Sequence, residues 1–452
     1  MQRGPADRDG KDTVIEMKRV LWICNIMLPV IARKLSLPYS NREGWLSGIF
    51  EQQTAERAER EIALGICFPA ESAERKAEKS AGPLMVSGVP CYGFAENLEK
   101  PELYDSSLEV CFREIFEDFK PDMIHVFGTE FPHALAAVRA FGKPERTLVG
   151  IQGLCYRIEQ VYAAGLPPEV FGRVTFRDFI RRDSMKRQQE KFRLRGENEK
   201  EIIRLTGHIT GRTAFDREGT GQVNPKAEYY LMNETMRGSF YEGCWKEEGC
   251  LRHSIFLGQG DYPLKGFHFL LEAMPEILAE YPDAVLYVAG NSVIGHGSVR
   301  ERLKLPAYGK YLLELIRKYK LADHVVMLGR LTEEEMKERF LSSHVFVCPS
   351  VLENSPNTVG EAMLLGVPVA ASRAGGIPDL LADGQEGLLF TPGNSREIAQ
   401  AVCAVFDGNR DGEGRTLAQR LSAAGRKRAR VTHDGKTNCQ RLMEIYRNIT
   451  GG

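Results

Sequence analysis

The sequence predicts an α/β protein of two open-sheet domains, on three observations. Its 452 residues exceed what one hydrophobic core normally organises, about 250–300, so two domains are the expectation. Short apolar runs without alternation recur between amphipathic stretches, the strand–helix rhythm of a sheet covered by helices on both faces. That rhythm occurs over 18–150 and again from about 251.

Composition narrows the function classes. Apolar residues make up 43% and charged residues 27%, ample for cores and ordinary for a water-facing surface. A formal net charge of −1 gives no support to nucleic-acid binding. The ten cysteines are scattered with no CxxC, which argues against a disulfide scaffold or a zinc site and for reduced thiols in a cytoplasmic protein. "VLWICNIMLPVIA" from Val20 carries Asn25 and Pro29 and is shorter than the roughly 20 apolar residues of a membrane span. It reads as a buried first strand running into a loop.

The elements follow in order. Residues 1–17 read as a tail and "RVLWICN" as a strand. Gly44 in "YSNREGWLSGIF" stands where a strand-to-helix loop is expected, with little side-chain bulk to keep a ligand from its backbone. "SSLEVCFREIFEDFK" is an amphipathic helix that stops before Pro121. "MIHVFG" is a strand, "PHALAAVRAFG" a helix stopped by Gly142, and "RTLVGIQG" the next strand. His125 lies in the apolar strand, and His133 begins the helix after it, facing the cleft expected there.

From Arg173, "RVTFRDFIRRDSMKRQQEKFRLR" holds nine Arg or Lys against three Asp or Glu. Phe176, Phe179, Ile180 and Met185 suggest one apolar helical face. Two readings stand: a solvated helix packed along that stripe, or a contact over 173–195 with anionic lipid or an anionic acceptor, peripheral at the inner membrane face. "LTGHITGRTAFDR" reads as a polar, glycine-containing loop bearing His208, Arg212 and Asp216.

The second half repeats the pattern. "HSIFLGQGDYPLKGFHFLLEAMPEILAEYPDAVLYVAG" gives strand, glycine loop, helix and strand, and "HVVMLGRLTEEEMKERFLSSHVFVCPS" repeats the alternation. "FVCPS" ends at Pro349, the loop "VLENSPNT" follows, and "TVGEAMLLG" opens a helix. Ligands of α/β sheets sit at that edge, and helix N-terminal N–H groups favour anions. Backbone N–H groups of Thr358 and Val359 can therefore hold a phosphate, Glu361 can accept from a ribose diol, and Glu353 can face a sugar. The two carboxylates could instead form a general acid/base pair. Lys265, after a glycine turn, can neutralise a diphosphate as a point charge, and the Walker pattern is absent. Arg330, after another strand, is either a second cation near the cleft or a surface residue. No histidine or carboxylate spacing makes a metal site.

"ENSPNTVGEAMLLGVPVAASRAGGIPDLLADGQEGLLF" resembles the retaining glycosyltransferases of family 4, of GT-B fold: two Rossmann-like α/β/α domains facing across a deep cleft. Glu353 and Glu361 match that family's E-x7-E motif. The resemblance is strong over about 250–395 and looser over 18–150, where "GWLSGI" stands for a glycine-rich acceptor-side loop. It implies a nucleotide-diphosphate sugar donor, UDP- or GDP-linked, and a glycan or lipid-linked hydroxyl acceptor, as in polysaccharide assembly, with no metal and no other cofactor. It gives Glu361 the ribose, Glu353 the donor sugar, Asn357, Thr358 and Val359 the phosphate side, and Lys265 the diphosphate. It also implies a first-domain histidine at the site, here assigned to His133 over His125 and His208. The family's usual arginine six residues before the lysine is Gln259 here, a neutral donor that Arg330 or Arg212 would have to supplement. The domains are expected at 18–225 and 226–425, with a helix over 426–452 packing back on the first. An epimerase or phosphorylase of the same fold, or a non-catalytic sugar-nucleotide-binding partner of a transferase, are the alternatives.

Overall fold

The computed structural model describes residues 17–37, 44–55, 62–70, 83–97, 99–163, 165–291, 294 and 304–451. Apart from Met17, the tail read over 1–17 lies outside them.

The first domain runs β1 (Lys18–Cys24), α1 (Pro29–Lys34), α2 (Gly44–Ala55), β2 (Ile62–Ala70), β3 (Leu84–Val86), β4 (Val89–Ala95), α3 (Ser107–Phe119), β5 (Met123–Phe127), α4 (Pro132–Phe141) and β6 (Thr147–Gly150). It continues with α5 (Cys155–Val161), α6 (Pro168–Phe171), α7 (Phe176–Arg181), α8 (Met185–Leu205), β7 (His208–Gly211), α9 (Ala214–Val223) and β8 (Glu228–Leu231). Its sheet order is β3-β4-β2-β1-β5-β6-β7-β8, parallel except for the β3–β4 hairpin at one edge. β1 shows why the apolar runs lacked alternation. Val20, Trp22 and Cys24 enter the core on one face, Leu21 and Ile23 the core on the other, so every residue from Val20 to Cys24 is buried.

Two readings change here. "GHITG" is not a loop but β7, and the polar stretch resumes only where Thr213 caps α9 with Asp216 in a capping box. The first domain also extends past 225, because β8 pairs with β7 through Gly211 and Leu231.

The second domain runs β9 (Leu251–Leu257), α10 (Phe267–Glu280), β10 (Val285–Ala289), α11 (Ala307–Lys318), β11 (Val325–Gly329), α12 (Glu333–Ser342), β12 (Ser343–Cys348), α13 (Asn357–Leu365), β13 (Val369–Ser372), α14 (Ile377–Leu380), β14 (Leu388–Phe390), α15 (Ser395–Phe406) and α16 (Leu417–Thr432). Its parallel sheet is ordered β11-β10-β9-β12-β13-β14. Residues 426–432 end α16, which packs on α13 of the second domain, so the return to the first domain begins only with α17 (Gly435–Thr450).

Two segments tie the domains. α17 places Tyr446 in the first domain's core, where its hydroxyl lies 2.7 Å from both Trp22 Nε1 and His125 Nδ1. In the other direction, the stretch from α5 to the start of α8 leaves the first domain. Tyr162, Leu166, Val170 and Met185 join the second domain's core. Gly165, at φ +78°, permits this crossing, since a Cβ there would collide with the Phe269 ring.

The indole of Trp22 can only donate, so Tyr446 accepts from it and spends its own proton on His125 Nδ1. The proton of His125 therefore sits on Nε2, and burial pushes the imidazole down to about 3. Nitrogen-15 NMR at pH 5 is expected to show a neutral Nε2–H tautomer, and an imidazolium there would contradict the assignment. Tyr446→Phe strands two buried partners and is expected to cost roughly 1–3 kcal/mol in denaturant unfolding.

Candidate functional site

The site lies where β9 and β12 end. After Gly258 the chain makes a short 3₁₀ turn, Pro263–Lys265, that Gly266 closes at φ +69°. Val351 N–H donates to the Leu264 carbonyl at 2.8 Å and so ties this turn to the loop after β12. Lys265 Nζ then reaches Glu353 Oε1 at 2.5 Å, and the Ser350 hydroxyl donates to the same oxygen at 2.7 Å. Burial disfavours the ammonium, but Glu353 and the Tyr262 phenol outweigh it and hold Lys265 above the ordinary lysine range.

The glycines of "RAGGIPD" hold Glu353 in place. Gly376 N–H donates to the Glu353 carbonyl at 3.0 Å. Gly375, at φ +53°, lies so close that a Cβ would collide with that oxygen, and a Cβ on Gly376 would strike Thr213 of the first domain. The Thr213 hydroxyl donates to Asn354 Oδ1 at 2.6 Å, and Asn354 Nδ2 donates to Asp216 Oδ2 at 2.9 Å. Ala214 N–H donates to Asp379 Oδ2 at 2.7 Å. The first-domain capping box is thus also the surface on which the second domain's loops dock.

Between the domains is a cavity of about 260 Å³. Gln152 and Arg212 line it from the first domain; Gln259, Lys265, Glu353 and the start of α13 line it from the second. Arg212 is buried. Its Nη2 donates to the carbonyls of Ile151 and Gln152 at 3.0 and 3.1 Å, and its Nη1 pairs with Glu234. The first-turn N–H groups of a helix have no intrahelical acceptor, so α13 adds positive potential at Asn357 and Thr358. The Asn357 side-chain oxygen is buried without a partner. Two cations, one carboxylate and a helix start suit an anionic ligand that also carries hydroxyls.

The cavity brings together Lys265, Glu353, Gln259, Asn357, Thr358 and Arg212. It does not include the others named from sequence. Val359 is fully buried in the second domain's core, and its N–H is bonded to the Pro356 carbonyl at 3.0 Å, so it is not free for a phosphate. Glu361 lies one turn beyond Thr358, buried, with Oε1 accepting Arg237 Nη2 at 2.6 Å and Nε at 3.1 Å. Burial raises its carboxyl even beside Arg237. The two glutamates thus face different cations, and only Glu353 lines the cavity, which does not fit an acid/base pair across one bond.

Arg330 is exposed and donates to Asn291 Oδ1 at 2.6 Å, away from the cavity wall. Gly44 begins α2. His133 is the clearest correction. It is fully buried, with its N–H at 2.8 Å and its Nδ1 at 2.7 Å from the Glu96 carboxylate, and it packs against Phe94. Glu96 claims it, 37 residues away in sequence. His208 Nε2 donates to the Glu145 carbonyl at 3.2 Å, at the other end of β7. His125 shares a small cavity with Gln152, Arg212 and Glu234, and Gln152 and Arg212 also line the larger one.

Residues missed from sequence are Gln152, Asn354, Glu234 and Arg237. Asn354 stood inside the quoted motif, and its place beside Glu353 was a usable signal. The other three lie in loops whose destination depends on how the domains meet. Among the described residues no group of three or more His, Cys, Asp or Glu could hold a metal ion, and no helix is long and apolar enough to cross a membrane.

Against known proteins, the decisive likeness is in the second domain. Residues 252–407 match the family model described as glycosyl transferases group 1. The chain is 28% identical over 196 residues to a phosphatidyl-myo-inositol mannosyltransferase of Mycobacterium leprae, covering 43% of this chain and 46% of that protein. The chain thus spans about half the length of the curated relatives it matches. Solved structures extend the likeness to both domains. HepE of Anabaena, in complex with UDP and glucose, superposes with a TM-score of 0.62 at 16% identity, over 95% of this chain and 99% of that one. Sucrose-phosphate synthase of Thermosynechococcus elongatus gives 0.64 at 14% identity, over 96% and 99%. The fold is GT-B.

Gly375→Ala is expected to displace the Glu353 carbonyl and disturb the cavity. The loss of folding stability should exceed the roughly 1 kcal/mol of a positive φ alone, with loss of nucleotide binding in calorimetry. Unchanged stability and binding would show that this contact does not set the loop.

Proposed function

We propose that this protein is a retaining glycosyltransferase that moves a sugar from a nucleotide-diphosphate sugar to a hydroxyl acceptor. The observation that carries this reading is the cavity between the domains, where Lys265, Arg212 and the start of α13 face Glu353. The family match over the same domain supports the reading, as does the UDP of the HepE complex, which favours a UDP-linked donor. The mannosyltransferase name of the curated relative favours a lipid-linked acceptor hydroxyl.

Charge explains the roles. As the diphosphate leaves, negative charge grows on its oxygens. Lys265 and the N–H groups of Asn357 and Thr358 stabilise that charge more than they stabilise the intact donor. Arg212 supplies a second positive group from the opposite domain, where the resemblance led to an arginine and Gln259 stands instead. Because Glu234 already pairs with it, its contribution is to wall and orient as much as to neutralise. Glu353 must share Lys265 with the phosphates and turns a carboxylate to the sugar. Glu361 keeps Arg237 on one oxygen and offers the other, which accepts no bond among the described residues, to a ribose hydroxyl. The acceptor hydroxyl attacks the face from which the diphosphate departs, a phosphate oxygen takes its proton, and configuration is retained. Closure of the domains excludes water from this step.

A second reading, nucleotide-sugar binding without turnover, is favoured by Gln259 and by the Arg237 guanidinium already seated on Glu361. A panel of sugar nucleotides with glycan and lipid acceptors, read by product mass and by the anomeric coupling of the product, separates the two. Transfer with retention supports the proposal; bound donor with no product supports the second reading.

Lys265→Ala is expected to lower kcat by on the order of 10²–10³ with a smaller change in KM, the size of one lost charge-stabilising donor. Glu361→Gln is expected to weaken donor binding by roughly 1–3 kcal/mol with kcat less affected. The reverse pattern in steady-state kinetics would exchange the two roles.

A further inference from the structure

The basic stretch after Arg173 has no part in the donor cavity, and its structure departs from an apolar stripe packed on the protein. It forms two helices, α7 and α8, divided at Arg182, which takes φ +51°. Met185 is buried, but Val174, Phe176, Phe179 and Ile180 are 56%, 63%, 72% and 62% exposed. These four fall within seven consecutive residues. The other large apolar side chains exposed among the described residues are spread singly along the chain.

This exposure is not fraying. Thr175 caps α7 in a capping box with Asp178, and the buried Asp178 carboxylate also accepts from Ala307 N–H, at the start of α11, at 2.9 Å. Arg173 pairs with Glu314 of α11 at 2.7 Å. The helix is pinned by its polar face with its aromatic face to solvent, the reverse of the usual amphipathic arrangement. Around that face, Arg181, Arg182, Lys186 and Arg187 are exposed and make no ion pair among the described residues. The acidic residues of the stretch are spent: Asp178 on backbone and on Arg177, and Asp183 on Arg177 and Gln188. Phe179, Ile180, Arg182 and Arg187 border one shared hollow.

We propose that α7 and the start of α8 form a membrane-docking tip that inserts Phe176, Phe179 and Ile180 into an anionic bilayer surface. Rings and a branched aliphatic chain enter the headgroup boundary, while the four cations meet anionic headgroups. Charge decides the occupant. A second copy of this chain docked face to face would bring the four unpaired cations against their own kind, whereas an anionic leaflet supplies the missing negative charge. Because α7 is fastened to α11, the docking tip moves with the second domain as well as with the first, to which its chain belongs. The tip shares no residue with the donor cavity, so its failure would leave the transfer reading standing.

The test is vesicle flotation of the full chain. Binding is expected to vesicles containing phosphatidylserine and not to pure phosphatidylcholine, and to fall as salt rises from about 0.1 to about 0.5 M. Phe176→Ser/Phe179→Ser/Ile180→Ser should weaken partitioning by at least about tenfold. Neutralising Arg181, Arg182, Lys186 and Arg187 to Gln should remove the salt-dependent part, roughly fivefold for each cation. Equal thermal unfolding of parent and variants establishes that they fold. The proposal is overturned if the parent ignores anionic vesicles or if the triple Ser variant floats as the parent does. It is also overturned if sedimentation shows a dimer of the parent that the triple variant dissolves, or if polyglutamate binds the parent and the triple variant alike and as well as vesicles bind the parent.

Discussion

The pairing of the Lys265 ammonium with the Glu353 carboxylate is the constraint around which the site is built. A cation half-withdrawn from water at the edge of a sheet is costly unless a partner meets it at hydrogen-bond distance. That partner must come from a different loop, 88 residues on in sequence. The loop after β12 therefore has to be fixed by backbone contacts, which Gly375 and Gly376 make by having no side chain. The pair is also a reserve of charge. It holds Lys265 positive at the cavity wall, where the proposed transfer would have it exchange part of this contact for a phosphate oxygen.

The same loop carries the domain contact. Asn354, next to Glu353, places both ends of its amide on the first domain, on the hydroxyl of Thr213 and the carboxylate of Asp216. Asp216 serves at once as the capping-box residue of α9, as acceptor for Arg212 N–H and as partner of Tyr229. Cavity shape, domain approach and the orientation of Lys265 are thus coupled through a few buried polar groups. Such networks are rigid when fully satisfied. The crossings by α17 and by the strap from α5 to α8 act in the same direction, since each buries apolar side chains of one half of the chain against the other.

What was legible in the sequence was local. The apolar runs of β1, β5, β6, β9 and β12 read as buried strands because both faces of each sheet are covered. Lys265, Glu353, Asn357 and Thr358 were legible because their positions follow from a strand end and a helix start. The remainder depended on distant partners. Nothing near His133 announced that Glu96 would take it, and nothing near Glu361 announced Arg237. Val359 failed for a different reason: a tight bond to Pro356 in the first turn consumed the donor that a helix start normally leaves open. The polar residues of "GHITG" concealed a strand because β7 is short. Phe176, Phe179 and Ile180 lie together on α7, but Met185, grouped with them on one face, starts α8 and is buried, and the side of α7 that touches the protein was set by Asp178.

The most direct measurement is the structure of the protein in complex with a nucleoside diphosphate. The diphosphate is expected against Lys265 Nζ and the N–H groups of Asn357 and Thr358, with the ribose at Glu361. A nucleotide bound elsewhere, with the contact between Lys265 and Glu353 unshared, would contradict the roles given to these residues.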